Sequence, residues 1–158
     1  MNILKHYKIF SNYYIIASAL FLLFTAFAKL SVIFVDTSTY LSITQKDPVI
    51  YFLTIKTLLV IVGLLEVVLA IFLLWRKIPE IYKYYALFGL GVCFIVYREF
   101  RVYAKANGDC GCLGKLPTIL GSGFANYSNV MLIVIAFMWI FISLACVAAY
   151  AKTKQDKL

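Results

Sequence analysis

Charged residues are scarce in this sequence, and their scarcity excludes most classes of soluble protein. Only 14% of the 158 residues are charged and 64% are hydrophobic, whereas soluble domains have about 25% charged and about 45–50% apolar residues. One small soluble core cannot bury this much apolar surface, and a disordered chain needs far lower hydrophobicity. The composition therefore predicts a membrane protein.

Acidic residues are especially few, and this raises the question of a nucleic-acid partner. Fifteen Lys and Arg stand against seven Asp and Glu, which gives a net charge of +8. The cations lie in short clusters between long apolar runs, which is how membrane proteins use positive charge. We therefore predict a lipid bilayer as the environment and no nucleic-acid partner.

Proline and strand-like alternation are missing from the apolar runs, so these runs are predicted to be helices. The three Pro all lie outside them, and a membrane barrel would need alternating apolar and polar residues. Four stretches of about 23 residues exceed the roughly 20 needed to cross a bilayer core of about 30 Å. We predict one all-α four-helix membrane domain over residues 1–158, with spans at 13–35, 52–75, 81–103 and 129–151.

The third span is the weakest of the four, because its charge-free part, 84–97, is short. We retain it because without it the two chain ends would lie on opposite sides of the membrane. The cation count then sets the orientation, since cytoplasmic loops carry more Lys and Arg. One side has eight cations (Lys5, Lys8, Arg76, Lys77, Lys83, Lys152, Lys154, Lys157) and the other has six (Lys46, Lys56, Arg98, Arg101, Lys105, Lys115). Both termini are predicted to be cytoplasmic, and the loop 104–128 extracytoplasmic.

Histidine is nearly absent and cysteine is rare, yet two of the four Cys stand close together in that loop. Cys110 and Cys112 flank Gly111, and Gly114 follows. A disulfide between residues two apart closes a small ring, and glycine permits the backbone conformation that this requires. A strained, exposed disulfide exchanges easily, so we predict that Cys110 and Cys112 are a redox pair.

Other readings of this pair remain open, namely an inert disulfide, two idle thiols or a metal site. Structural zinc needs four ligands, and the one His, His6, is predicted to lie on the opposite side. We therefore predict no metal site within one copy, although a dimer with four Cys, or two thiolates on Cu(I), would provide one. Cys93 and Cys146 fall inside predicted spans and are expected to be buried as small apolar residues.

Two charges, Lys29 and Glu66, interrupt the first and second spans. At 1.5 Å per residue they lie about 9 Å and about 21 Å from the outer ends of their spans. This difference of about 12 Å argues against a direct bridge unless the helices are tilted. Intramembrane charge suggests a functional pocket, which would hold a proton or a quinone head group; the alternative is that the two charges serve structure alone.

Several of these motifs together resemble the MauE/DoxX group of redox-associated membrane proteins. The motifs are Ala28-Lys29-Leu30 in the first span, Gly63-Leu64-Leu65-Glu66 in the second, and Cys110-Gly111-Cys112-Leu113-Gly114 before the last. The group often has Phe where this chain has Leu113. The resemblance implies that Cys110 and Cys112 are the redox pair, with Gly111, Gly114, Lys29 and Glu66 in support, in a bacterial cytoplasmic (inner) membrane.

The resemblance implies two candidate functions, and the few polar groups of the four helices leave a third. MauE-like proteins act beside a thioredoxin-like partner in maturing a periplasmic dehydrogenase for methylamine utilisation, which implies thiol–disulfide exchange with such a partner. DoxX-like relatives are linked to quinone-coupled sulfur oxidation, which implies a quinone-coupled oxidoreductase subunit with a quinone as cofactor. The third candidate is a non-enzymatic scaffold or metal-delivery subunit. A redox accessory protein is expected rather than a stand-alone enzyme.

Overall fold

The computed structural model describes residues 2–31, 46–104 and 122–155, and within these residues the chain is helical with no strands. The only extended pairing in the described ranges is a single bridge between Lys46 and Thr54. The four helices are α1 (Asn2–Leu30), α2 (Ile55–Leu74), α3 (Glu80–Tyr103) and α4 (Ser122–Gln155). The all-α prediction is confirmed for these parts of the chain.

The helix bounds agree closely with the predicted spans for α2 and α3 but extend beyond them for α1 and α4. α1 begins at Asn2 rather than at residue 13, and α4 begins at Ser122 rather than at residue 129. The predicted bounds followed the apolar stretch of each span, whereas the helices continue through the polar residues that flank these stretches. Residues 32–35 of the first predicted span lie outside the described ranges.

Three of the four helices are long and apolar enough to cross a membrane. The qualifying segments are Ile9–Leu30, Ile55–Leu74 and Ile133–Ala151. α3 carries Glu80 and Lys83 near one end and a charged cluster at the other, which lowers its hydropathy. The fourth crossing therefore stays a prediction, whereas the helix itself is confirmed.

The four helices pack as two pairs, α1 along α2 and α3 along α4, with few contacts between α2 and α3. Hydrogen bonds made by side chains of α1 connect the α1–α2 pair to the α3–α4 pair. Ser11 donates to Glu80 of α3 at 2.9 Å and also bonds Tyr84. On α4, Trp139 donates its indole N–H to Ser18 of α1 at 3.1 Å.

Small residues allow the helices of each pair to approach closely, as is common in membrane bundles. In the α3–α4 pair, a Cβ built on Gly91 would lie 2.9 Å from the carbonyl oxygen of Ala136. In the α1–α2 pair, Ala26 and Ala70 are fully buried. The interface is therefore tight where the backbones come nearest.

The helices alternate in direction, so the C-terminal ends of α1 and α3 and the N-terminal ends of α2 and α4 lie toward the same end of the bundle. A short turn after Trp75 reverses the chain between α2 and α3, and Tyr97, near the end of α3, bonds Asp47, which precedes α2. We call this end the loop end; it is formed by Leu30, Ile55, Tyr103 and Ser122. Asn2 of α1 and Gln155 of α4 lie toward the opposite end.

Candidate functional site

The structure places two of the predicted site residues, Lys29 and Glu66. The predicted redox pair, Cys110 and Cys112, lies outside the described residues, as do Gly111 and Gly114. α3 ends at Tyr103 and α4 begins at Ser122, and both of these helix ends lie at the loop end.

Lys29 and Glu66 form a buried ion pair between α1 and α2. Lys29 Nζ donates to Oε1 and Oε2 of Glu66 at 2.8 and 2.9 Å, and both side chains are 2% exposed. Thr25, one turn before Lys29, lies 3.1 Å from Glu66 Oε2 and 3.1 Å from the carbonyl of Leu22, so its one proton is shared between them. The result is a polar cluster with no net charge, as the membrane interior requires.

The difference in depth predicted no direct salt bridge between Lys29 and Glu66 without helix tilt, and this prediction was wrong. It assumed that the outer ends of the first two spans lie at the same depth, and the contacts of Gly63 contradict that assumption. A Cβ on Gly63 would lie 3.2 Å from the Leu30 side chain and 3.4 Å from the Ala26 carbonyl, so the end of α1 is level with Gly63. α2 continues for about 12 Å beyond that level toward its own N-terminus, which accounts for the apparent difference in depth.

A cavity of about 600 Å³ lies between α2 and α3, which make few direct contacts with each other. Its walls are largely aliphatic and aromatic, and Lys29 and Glu66 contribute to them. Leu65 and Val68 line it and are more than half exposed, so the cavity opens on the outer surface of the bundle. The sequence predicted a pocket near these charges but not which helices would enclose it.

The two helical cysteines differ in exposure. Cys146 is buried, as predicted, whereas Cys93 is exposed and lines the cavity. The prediction that Cys93 is buried was wrong, because Cys93 lies on the face of α3 that borders the cavity, and no other helix packs against it there.

Asp47 organises the segment that leads into α2, and the sequence analysis missed it. Asp47 is 1% exposed and accepts bonds from the backbone N–H groups of Val49 and Ile50, both at 2.9 Å. Tyr97 of α3 donates its hydroxyl to the second carboxylate oxygen at 2.7 Å. The Asp-Pro pair at 47–48 is a turn signal that could have indicated the local role, but no local signal indicates the bond to Tyr97.

Comparison with protein families matches the chain to the model described as "Methylamine utilisation protein MauE", over residues 7–151. The chain belongs to the MauE family. The matched range contains the ion pair of Lys29 and Glu66 and also Cys110 and Cys112. No curated protein and no solved structure matches the chain. With three membrane-length apolar helices, this MauE family member is a multi-pass membrane protein.

Proposed function

We propose that the chain is a membrane thiol–disulfide redox protein. Cys110 and Cys112 would exchange electrons with a thioredoxin-like protein outside the cytoplasm. The observation that carries the proposal is the Cys-Gly-Cys sequence between the helix ends at Tyr103 and Ser122, in a chain of the MauE family. Glycine between the two Cys favours a small, easily opened disulfide ring.

The proposed location is the bacterial cytoplasmic membrane, with both termini in the cytoplasm and the cysteine segment on the other side. The cation count supports this orientation, with eight Lys and Arg on the terminal side against six on the loop side. An extracytoplasmic compartment is also where disulfides form and persist.

The exchange needs no group other than the two thiols and the partner's disulfide. The Cys110 thiolate attacks the partner's disulfide, which forms a mixed disulfide and releases one partner thiolate. Cys112, as thiolate, then attacks the sulfur of Cys110, forms the Cys110–Cys112 disulfide and releases the second partner thiolate. Two electrons pass to the partner, and the two thiol protons pass to solvent and to the released thiolates. The same steps in reverse reduce the pair.

The proposed biological role is maturation of a periplasmic dehydrogenase in methylamine utilisation. The family's description supports this role by naming methylamine utilisation. Disulfide exchange outside the cytoplasm is the chemistry that a disulfide-rich substrate protein would require.

Trapping of the mixed disulfide tests the proposal. Single variants Cys110→Ser and Cys112→Ser are made in a Cys93→Ala/Cys146→Ala background, and cells are quenched with acid before non-reducing electrophoresis. We expect Cys112→Ser to accumulate an adduct that reductant releases, because Cys110 still attacks and nothing resolves the product. Mass spectrometry should identify the attached protein as thioredoxin-like.

The double variant Cys110→Ser/Cys112→Ser is the matched control and should form no adduct. Absence of an adduct in both single variants would contradict the exchange mechanism. Protection of both thiols by bound metal, with no trapped protein, would support a metal-delivery role instead.

A further inference from the structure

We propose that the cavity between α2 and α3 binds one acyl chain of an anionic phospholipid, whose head group lies at the loop end against Arg101. The chain would occupy the cavity, and the phosphate would accept hydrogen bonds from the guanidinium. This inference does not rest on the cysteine pair, because the residues that carry it belong to α2 and α3.

The walls of the cavity present hydrocarbon and almost no polar surface. Lys29 and Glu66 border it, but their charged atoms bond each other at 2.8 and 2.9 Å and their side chains are 2% exposed. The hydroxyl of Tyr97 donates to Asp47, and the rest of the lining is aliphatic and aromatic apart from Cys93. A polar head group inside the cavity would lose its hydration without gaining a partner, so the occupant is a hydrocarbon chain.

The dimensions of the cavity suit a single chain and exclude a helix. The cavity runs along α2 from Leu58 to Phe72, which is about 21 Å at 1.5 Å per residue. Spread over that length, its volume of about 600 Å³ gives a mean cross-section of about 29 Å², or a channel about 6 Å wide. A helix with its side chains is about 10–12 Å across. A helix of a partner could therefore cover the cavity but could not fill it.

The cavity is open toward the lipid along one side. Leu65 and Val68 line it and are 62% and 64% exposed, and Cys93 is exposed on the facing side of α3. In a bilayer these residues border the hydrocarbon core, so an acyl chain reaches the cavity without crossing the protein.

Arg101 supplies a donor for a phosphate just beyond the cavity. It follows Tyr97 by four residues and Phe94 by seven, so it shares the helix face of these two lining residues and lies about 6 Å farther toward the loop end. Arg101 is 8% exposed, and no hydrogen bond or ion pair joins it to a residue that the structure describes. A guanidinium binds phosphate oxygens through two parallel hydrogen bonds, so a lipid phosphate would supply the acceptors.

The charge at the loop end favours an anionic lipid over a zwitterionic one. Glu99 does not compensate Arg101, because it pairs with Arg98 at 3.2 Å. The charged residues that the structure describes at this end are four cations and two carboxylates (Lys46, Lys56, Arg98, Arg101; Asp47, Glu99). Clusters of Lys and Arg at a membrane surface attract anionic lipids.

Lys83 is the matched residue at the other end of the same face of α3. It precedes the lining residues Ala86 and Leu90 by three and seven positions and is 7% exposed. Unlike Arg101, it has a carboxylate nearby, that of Glu80. The head group is therefore assigned to Arg101, and Lys83 serves as the control.

Trp139 supplies a spectroscopic probe for the acyl chain. Its ring is 4% exposed and stacks on Phe94, which lines the cavity, with a centroid separation of 6.2 Å. Full-length protein with Trp75→Phe, in detergent micelles, is titrated with phosphatidylglycerol brominated on its acyl chains. We expect saturable quenching of Trp139 fluorescence, because bromine quenches at short range and a chain in the cavity lies next to Phe94.

A pair of variants on neighbouring residues separates the cavity from the rest of the lipid-facing surface. Val62→Phe adds bulk to the cavity wall, whereas Ile61→Phe adds the same bulk on an exposed face outside the cavity. We expect Val62→Phe to weaken binding by about tenfold or more and Ile61→Phe to leave it unchanged. Ala86→Phe fills the cavity from α3 and serves if Val62→Phe does not fold.

A second pair of variants locates the head group. Arg101→Gln should weaken binding of brominated phosphatidylglycerol about tenfold, the effect of losing hydrogen bonds from a charged donor, and Lys83→Gln should leave it unchanged. Brominated phosphatidylcholine should bind the parent protein about tenfold more weakly than phosphatidylglycerol does. Cys110→Ser/Cys112→Ser should bind normally, and this keeps the test separate from that of the redox proposal.

Three results would overturn the inference. The first is quenching that rises without saturation, or that is equal in Val62→Phe, Ala86→Phe and Ile61→Phe, which would mean that the cavity is not a lipid site. The second is equal binding of the two lipids, or a loss in Lys83→Gln as large as that in Arg101→Gln. The third is a second copy of the protein over the cavity that phosphatidylglycerol does not displace, as native mass spectrometry would reveal.

Discussion

Lys29 and Glu66 show how a single pair of residues can join two helices where water is absent. Each was recognisable in the sequence as a charge within an apolar run, because such charges are costly and require a partner. Their direct contact was not predictable, because it depends on the offset between α1 and α2 at Gly63. Thr25 was missed for a related reason, since a hydroxyl inside an apolar helix usually bonds its own backbone.

Removing one member of the ion pair should destabilise the protein far more than removing both. Glu66→Met leaves the Lys29 ammonium buried and uncompensated, and we expect a loss of about 3–5 kcal/mol in the free energy of unfolding. Lys29→Met/Glu66→Met removes both charges and should recover most of that loss, because apolar replacements of a buried pair are often neutral. Unfolding by SDS titration in mixed micelles measures both variants. Equal losses in the single and double variants would show that the pair is not coupled.

Asp47 should hold the segment 46–54 against α3 through its three accepted bonds. Asp47→Ala removes both carboxylate oxygens, and with them all three bonds. It leaves two backbone N–H groups without a partner, at about 1–3 kcal/mol for a buried group. Tyr97→Phe removes one bond and should cost about 1 kcal/mol. Limited proteolysis of this segment should accelerate strongly in Asp47→Ala and slightly in Tyr97→Phe. Faster proteolysis in Tyr97→Phe than in Asp47→Ala would contradict the claim that the Asp47 carboxylate holds the segment in place.

At the scale of the element, the hydropathy pattern predicts that helices exist and roughly where they lie. α2 and α3 agree with their predicted spans within three residues at each end. The pattern does not predict which faces pack, because the apolar residues of a membrane helix face lipid and protein alike. Cys93 illustrates this limit, since its helical position was foreseen and its exposure was not.

Gly91 and Gly89 both lie in α3, and substitutions at these two positions test how closely α3 approaches α4. Ala is favoured over Gly in a helix by about 1 kcal/mol, so Gly89→Ala, where nothing lies within 4 Å of the new Cβ, should be neutral or stabilising. Gly91→Ala places its Cβ 2.9 Å from the backbone oxygen of Ala136 and should lose about 1–3 kcal/mol through overpacking. Thermal unfolding in detergent compares the two. A gain of stability in Gly91→Ala would mean that the backbones do not approach as closely as described.

At the scale of the whole molecule, the chain is a multi-pass membrane protein of the MauE family with two helix pairs and a cavity between them. Composition and hydropathy were sufficient to predict the class and the four helices. The sequence did not predict the cavity between α2 and α3, because its existence depends on how these two helices pack against their neighbours. The proposed orientation in the membrane is supported by a cation excess of eight to six.

Labelling of intact cells with a membrane-impermeant maleimide tests the redox proposal most directly. In the Cys93→Ala/Cys146→Ala background, only Cys110 and Cys112 remain to react. The account predicts no labelling of untreated cells and strong labelling after brief treatment with a mild reductant, because the proposal has the pair oxidised and on the outer side of the membrane. Labelling without reduction, or labelling that requires a permeabilised membrane, would contradict it.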